Sequence, residues 1–199
     1  MNARTIAAVL IVLASPGAAA DPFSDLIKDG KDVCFRRVYD AAHLKKNPRQ
    51  QTTSMVVWLT GRTGRVGNFG LAVTRRGDPQ AMFLTGDCSW EVYRDGRSWM
   101  TTYRKKAGAG CITLAVPDVF ESSSAEEGGG VILDPSPDGR TMMVHLDDIQ
   151  SLVKRANRGA KISVTFGADD RAFLLRRAAV KDCEFVKEAV TTRAHDSAK

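Results

Sequence analysis

Apolar and polar residues alternate with a period of two along much of the chain after residue 32. The strongest case is the segment 53–60, where apolar residues occupy both faces: Met55, Val57 and Leu59 on one, Val56 and Trp58 on the other. A period of two is typical of β-strands. Apolar residues on both faces indicate a strand that is covered on both sides.

About nine short strands of this kind follow one another, separated by turns rich in glycine, proline and aspartate. Gly77-Asp78-Pro79 and Pro137-Asp138-Gly139 are two such turns, and Asp95-Gly96 is typical of a tight hairpin. The glycine-rich segment 61–70 is predicted to be a loop. Together these signals predict a mainly β fold, a single antiparallel barrel or sandwich, without a second domain.

Helical signals are few. Residues 22–30 predict a short N-terminal helical turn, with Ser24 as its cap and Gly30 as its end. The segment 147–158 has apolar residues at helical spacing, acidic residues at its start and basic residues near its end, which favours a helix. A pair of strands is the alternative there. The polar segment 41–51 is predicted to be a connector without a helix, because Asn47-Pro48 favours a turn or extended backbone.

The first twenty residues have the pattern of a secretory signal peptide. Arg4 provides the positive start, residues 6–13 are uncharged and apolar, and the segment ends in Ala18-Ala19-Ala20. We therefore expect cleavage between Ala20 and Asp21 and a periplasmic or secreted protein. The predicted domain covers 21–188, and 189–199 is predicted to be a polar, disordered tail.

The chain has four cysteines, an even number, all of which follow the predicted signal. In an exported chain this favours two disulfides. We favour Cys34–Cys183, which would join the first and last strands of a closed sheet, and Cys88–Cys111, which would flank a hairpin. The alternative, a four-cysteine zinc site, lacks any Cys-x-x-Cys pair.

The formal net charge is +6, which is ordinary for an exported protein and gives no reason to expect nucleic acid as a partner. Basic residues in and after the glycine-rich segment are the candidate binding residues for an anionic partner: Arg62, Arg65, Arg104, Lys105 and Lys106. Arg36, Arg37, Lys45, Lys46 and Arg49 are further members of this basic set, and nearby aromatic residues would stack on sugars.

Candidate catalytic chemistry is sparse. His145 lies close in sequence to Asp147 and Asp148, an arrangement compatible with acid–base catalysis or metal binding. Zinc sites, however, usually present several close ligands, and the chain lacks the Gly-x-Ser-x-Gly and His-Glu-x-x-His motifs. We predict no catalytic residue, no metal and no cofactor.

Several short motifs resemble those of a group of small exported bacterial proteins. They are Gly86-Asp87-Cys88, Cys111, the glycines at 128–130, Leu146, Gly167, the run 169–177 and Cys183. The resemblance covers roughly the second half of the predicted domain. It implies a bacterial envelope setting and a strand rather than a helix near Asp147.

The leading hypothesis from these observations is a non-catalytic exported domain that binds an envelope partner, either a protein or an anionic glycan. One alternative is a hydrolase of envelope polymers that uses His145 and dispersed carboxylates. Another is a carrier of a lipid or other small ligand, because a barrel can enclose a cavity.

Overall fold

The computed structural model describes residues 21–63, 66–90, 108–114, 129–154 and 161–191. These ranges contain ten strands and three short α-helices. The strands are β1 (Val33–Val38), β2 (Thr52–Thr63), β3 (Val66–Arg75), β4 (Asp78–Ser89), β5 (Ala109–Leu114), β6 (Val131–Pro135), β7 (Thr141–Leu146), β8 (Ile149–Lys154), β9 (Lys161–Thr165) and β10 (Ala172–Ala178). The helices are α1 (Pro22–Ile27), α2 (Ala41–Lys46) and α3 (Glu184–Thr191). In these ranges no helix has both the length and the apolar character needed to cross a membrane.

Eight of the strands close into an antiparallel barrel, which confirms the predicted fold class. The order around the barrel is β1, β2, β3, β4, β5, β6, β7 and β10, and the pairing of β10 with β1 completes it. The remaining strands, β8 and β9, form a hairpin. The hairpin lies between β7 and β10 in sequence, whereas in the barrel β7 and β10 pair directly with each other. This hairpin pairs with the first part of β4, and β5 pairs with the second part of β4.

The barrel interior is apolar because alternate residues of each strand face inward. Fully buried aromatic side chains, Phe35, Phe69 and Phe173, come from three different strands. At one end the buried Phe23 and Ile27 of α1 belong to the same core. A Cβ at Gly67 would lie 2.9 Å from Cδ1 of Ile27, so α1 packs directly against the β2–β3 hairpin.

A second, smaller core lies outside the barrel wall, beneath α3. Val56 and Trp58 of β2 pack there with Val186 of α3, next to the disulfide between Cys34 and Cys183. This outer layer explains why β2 is apolar on both faces. Met55, Val57 and Leu59 face the interior, whereas Val56 and Trp58 are covered by the helix.

Both predicted disulfides are confirmed. Cys34–Cys183 joins β1 to the residues just before α3, across 149 positions of sequence. Cys88 and Cys111 lie directly opposite each other on β4 and β5 and are buried in the barrel. The zinc alternative is therefore wrong, because all four sulfur atoms are bonded in pairs.

The favoured helix at 147–158 is wrong over the part that the structure describes. Residues 149–154 form β8, whose main chain pairs with β4 and β9. Leu152 packs in the main core, and the buried Gln150 donates from Nε2 to the carbonyl oxygen of Gly130. Pairing with the neighbouring strands outweighs the helical preference that the spacing of a few apolar residues indicates.

Local predictions at four other sites also need correction. Residues 41–46 form α2, capped by the Asp40 carboxylate, which accepts from the main-chain N of His43 at 2.7 Å. Asp21, rather than Ser24, caps α1.

The predicted loop 61–70 is largely strand, since β2 runs to Thr63 and β3 begins at Val66. The helix α3 also extends three residues into the predicted tail.

Candidate functional site

The predicted basic binding residues are only partly within the described ranges. Arg62 lies at the end of β2, on the outer surface, and its Nη1 is 3.2 Å from Oδ2 of Asp87. Its charge is therefore balanced by a neighbour. Arg65, Arg104, Lys105 and Lys106 lie outside the described residues, as does the predicted hairpin around Asp95-Gly96.

A different pair of arginines stands together on the barrel wall. Arg36 of β1 and Arg176 of β10 lie directly opposite each other in the register of the two strands. Both belong to the outward-facing series of their strands, and both are exposed. The pairing joins residues 140 positions apart in sequence, at the seam that closes the barrel.

Neither of these two arginines has a carboxylate within ion-pair distance among the described residues. Other exposed arginines do: Arg49 with Asp169, Arg62 with Asp87, Arg140 with Asp138 and Arg171 with Asp148. Like charges placed directly opposite in a sheet destabilise it. The seam therefore carries two positive charges that the described part of the fold does not balance.

Exposed apolar side chains lie beside this pair. Val38, two residues beyond Arg36 on β1, is 56% exposed, and Leu174, two residues before Arg176 on β10, is 45% exposed. Because residues two apart in a strand share a face, all four side chains lie on the same outer surface. We call Arg36, Val38, Leu174 and Arg176 the arginine face.

Arg37 and Arg177, the sequence neighbours of this pair, do not join it. The Arg177 guanidinium lies 5.5 Å from the ring centre of Phe35, which faces the barrel interior. The Arg37 guanidinium lies 5.2 Å from the ring centre of Tyr39. The period of two thus places Arg36 and Arg37 on opposite faces of β1, although they are neighbours in the predicted basic set.

The end of the barrel opposite α1 is organised around the buried Asp170. Its carboxylate accepts from the main-chain N atoms of Gln51, at 2.7 Å, and Thr52, at 3.0 Å. Burial raises the pKa of Tyr39; the Arg37 charge opposes this effect and the Asp170 charge adds to it. We call this region the Asp170 end.

Two further polar side chains extend the Asp170 end towards α2. Gln50 donates from Nε2 to the carbonyl oxygen of Thr52, at 2.8 Å. The Gln50 Oε1 atom lies 3.0 Å from Nε2 of His43. The His43 ring packs against Tyr39 with 4.7 Å between centroids and a tilt of 33° between the ring planes. These contacts fix the chain between α2 and β2.

The acids near His145 take part in structural contacts. Asp147 Oδ2 accepts from the main-chain N of Gly130 at 2.6 Å, and Asp148 forms an ion pair with Arg171 at 3.5 Å. His145 itself lies on the outer face of β7, opposite Ile132 and Ala172. In the described ranges no three His, Cys, Asp or Glu side chains are grouped to hold a metal ion.

Comparison with known proteins gives no information on the function of this chain. The chain matches no protein-family model, no curated protein and no solved structure. The resemblance to small exported bacterial proteins therefore stays a prediction.

Proposed function

We propose that this protein is an exported, non-catalytic β-barrel that binds an acidic protein of the bacterial envelope through the arginine face. The observation that carries this proposal is the direct opposition of Arg36 and Arg176 without a described counter-charge. Carboxylates bind guanidinium groups in bidentate geometry, so an acidic partner would balance both charges.

The apolar neighbours favour a protein over an anionic glycan. Val38 and Leu174 offer aliphatic surface next to the two guanidinium groups. Protein interfaces combine a central apolar contact with charged groups at the rim. A glycan would gain more from exposed aromatic rings, and the arginine face contains none.

The compartment is part of the same proposal. Two disulfides fit an oxidising environment. The signal-like pattern of residues 1–20 supports export, with cleavage between Ala20 and Asp21 and a periplasmic or secreted location.

The two alternatives have less support. A hydrolase built on His145 would need a nearby acid, but the Asp147 and Asp148 carboxylates already bind Gly130 and Arg171. A carrier would need free space in the barrel, but Phe35, Phe69 and Phe173 are 0–1% exposed and pack in one continuous core.

Photo-crosslinking in the source cells tests the proposal. A photoreactive phenylalanine analogue at Leu174 should give a protease-sensitive adduct. The double variant Arg36→Glu, Arg176→Glu should lose this adduct, and Arg62→Glu, which changes an arginine paired with Asp87, should keep it.

Two outcomes would contradict the proposal. One is the absence of any protein adduct at position 174. The other is an adduct that survives the double charge reversal. Arginine-dependent retention on an anionic polysaccharide column, without a protein adduct, would instead assign the arginine face to a glycan.

A further inference from the structure

Three buried hydrogen-bond donors lie at the Asp170 end without an acceptor among the described residues. They are Nε of Arg37, Oγ1 of Thr52 and Nε of Arg75. They come from three neighbouring strands, β1, β2 and β3. Buried polar groups almost always have a partner, so three such donors in one region need an explanation.

The register places the three side chains on the same, inward face. Thr52 is completely buried and lies directly opposite Arg75. Arg37 lies opposite Met55, which belongs to the barrel core. Arg37 is two residues before Tyr39 in the sequence. The main-chain N of Tyr39 in turn donates to the carbonyl oxygen of Thr53, next to Thr52.

Aromatic rings hold both guanidinium groups in place. Arg37 lies over Tyr39 at 5.2 Å, and Arg75 lies over the buried Phe166 at 5.7 Å. Arg75 also donates from Nη2 to the carbonyl oxygen of Thr165, at 3.3 Å. Such contacts with ring faces leave the edges of the guanidinium groups to bind an acceptor.

The charges at this end favour an anion. Neither Arg37 nor Arg75 has a carboxylate within ion-pair distance in the part of the chain that the structure describes. The nearby Asp170 carboxylate accepts from two main-chain N atoms, of Gln51 and Thr52. The two arginines and Asp170 together leave one positive charge unbalanced.

We propose that the Asp170 end binds an oxyanion group, a carboxylate or a phosphate, through Arg37, Thr52 and Arg75. An oxyanion offers several acceptor lone pairs to donors that have none, and charge-assisted hydrogen bonds are the strongest of their kind. This site is inside the barrel end and does not depend on the arginine face.

Calorimetric titration of the oxidised protein with inorganic phosphate and with D-glucuronate tests the site. Arg37→Gln and Arg75→Gln should each weaken binding at least ~10-fold. One control should bind as the unaltered protein does: Arg49→Gln changes an exposed arginine at the same end, which is paired with Asp169.

Thr52→Val provides a test that does not require the ligand. If the Thr52 hydroxyl has no protein partner, valine of similar shape should raise the thermal midpoint in ligand-free buffer. The same variant should gain less from added ligand than the unaltered protein.

Three results would overturn this proposal: no binding of either probe, equal binding by all variants, or a lower midpoint for Thr52→Val without ligand. Equal, weak binding by all variants would mean an adventitious ion only. Circular dichroism of each variant shows whether the barrel is retained.

Discussion

Gly86 of β4 lies against the main chain of Ile112 of β5. A Cβ at Gly86 would stand 2.0 Å from the carbonyl oxygen of Ile112 and 2.9 Å from Cε1 of Phe69. The two strands approach this closely only because residue 86 is glycine. We expect Gly86→Ala to lower the free energy of unfolding by about 3 kcal/mol or more, measured by urea denaturation of the oxidised protein.

Gly167→Ala is the control for this substitution. Gly167 has an ordinary extended backbone and no atom within 4 Å of a built Cβ. Its free energy of unfolding should change by less than about 0.5 kcal/mol. Similar losses for the two variants would contradict the steric explanation.

Asp170 and Asp169 are neighbours with very different expected contributions to stability. Replacing the buried Asp170 by alanine removes the acceptor of two main-chain N–H groups, so we expect a loss of about 2–4 kcal/mol. Asp169 forms an exposed ion pair with Arg49, and Asp169→Ala should cost about 1 kcal/mol or less. Thermal denaturation of both variants at neutral pH measures the difference, and equal losses would refute it.

The two disulfides should stabilise the fold by different amounts. In the chain-entropy model, the 149-residue separation of Cys34 and Cys183 corresponds to about 5 kcal/mol. The 23-residue separation of Cys88 and Cys111 corresponds to about 3 kcal/mol. Urea denaturation of the two double-alanine variants should show this order. The reverse order would mean that packing inside the barrel outweighs loop entropy.

Removing the charge of Asp134 on β6 should stabilise the protein at neutral pH but not at acidic pH. Burial raises its pKa above 3.8, so the charged form is disfavoured in the folded protein. The unfavourable contribution is absent below pH 3.8, grows as the pH rises through the folded-state pKa, and is complete above it. Asp134→Asn should therefore be more stable than the unaltered protein at neutral pH, and the gap should close on acidification.

The charge of Asp138 should have the opposite effect on stability: it should stabilise the folded protein. Hydrogen bonds from the Ser136 hydroxyl and the main-chain N of Arg140 lower its pKa below 3.8. Its stabilising contribution is complete above 3.8 and is lost as the pH falls through the lower folded-state value. Asp138→Asn should thus be less stable at neutral pH. Thermal midpoints measured between pH 3 and 7 compare both variants, and curves of the same sign would refute the assignment.

Much of the barrel could be predicted from local pattern, because inward and outward residues alternate along each strand. Residues 53–60 show this well: the two apolar faces correspond to the interior and to the layer under α3. The helix favoured over 149–154 is wrong because Leu152 and Val153 fit a helix and a strand equally well in so short a stretch. Its strand partners on β4 lie about seventy positions away, beyond any local pattern.

The arginine face could be predicted only in part. The sequence indicates that Arg36 belongs to a basic set, but its partner in the strand register, Arg176, is 140 residues away. Only the register of β1 against β10 brings the two together. Arg37, adjacent in sequence, instead belongs to the Asp170 end, because successive residues of a strand face opposite sides.

The closure of the barrel by its first and last strands sets an order of events during biogenesis. The partner of β1 on one side, β2, begins at residue 52, but its partner on the other side ends at residue 178. The edge of β1 that faces β10 therefore stays unpaired until the residues up to 178 have been synthesised. Such long-range closure is slow. The Cys34–Cys183 bond has the same requirement, because its two cysteines are separated by 149 positions of sequence.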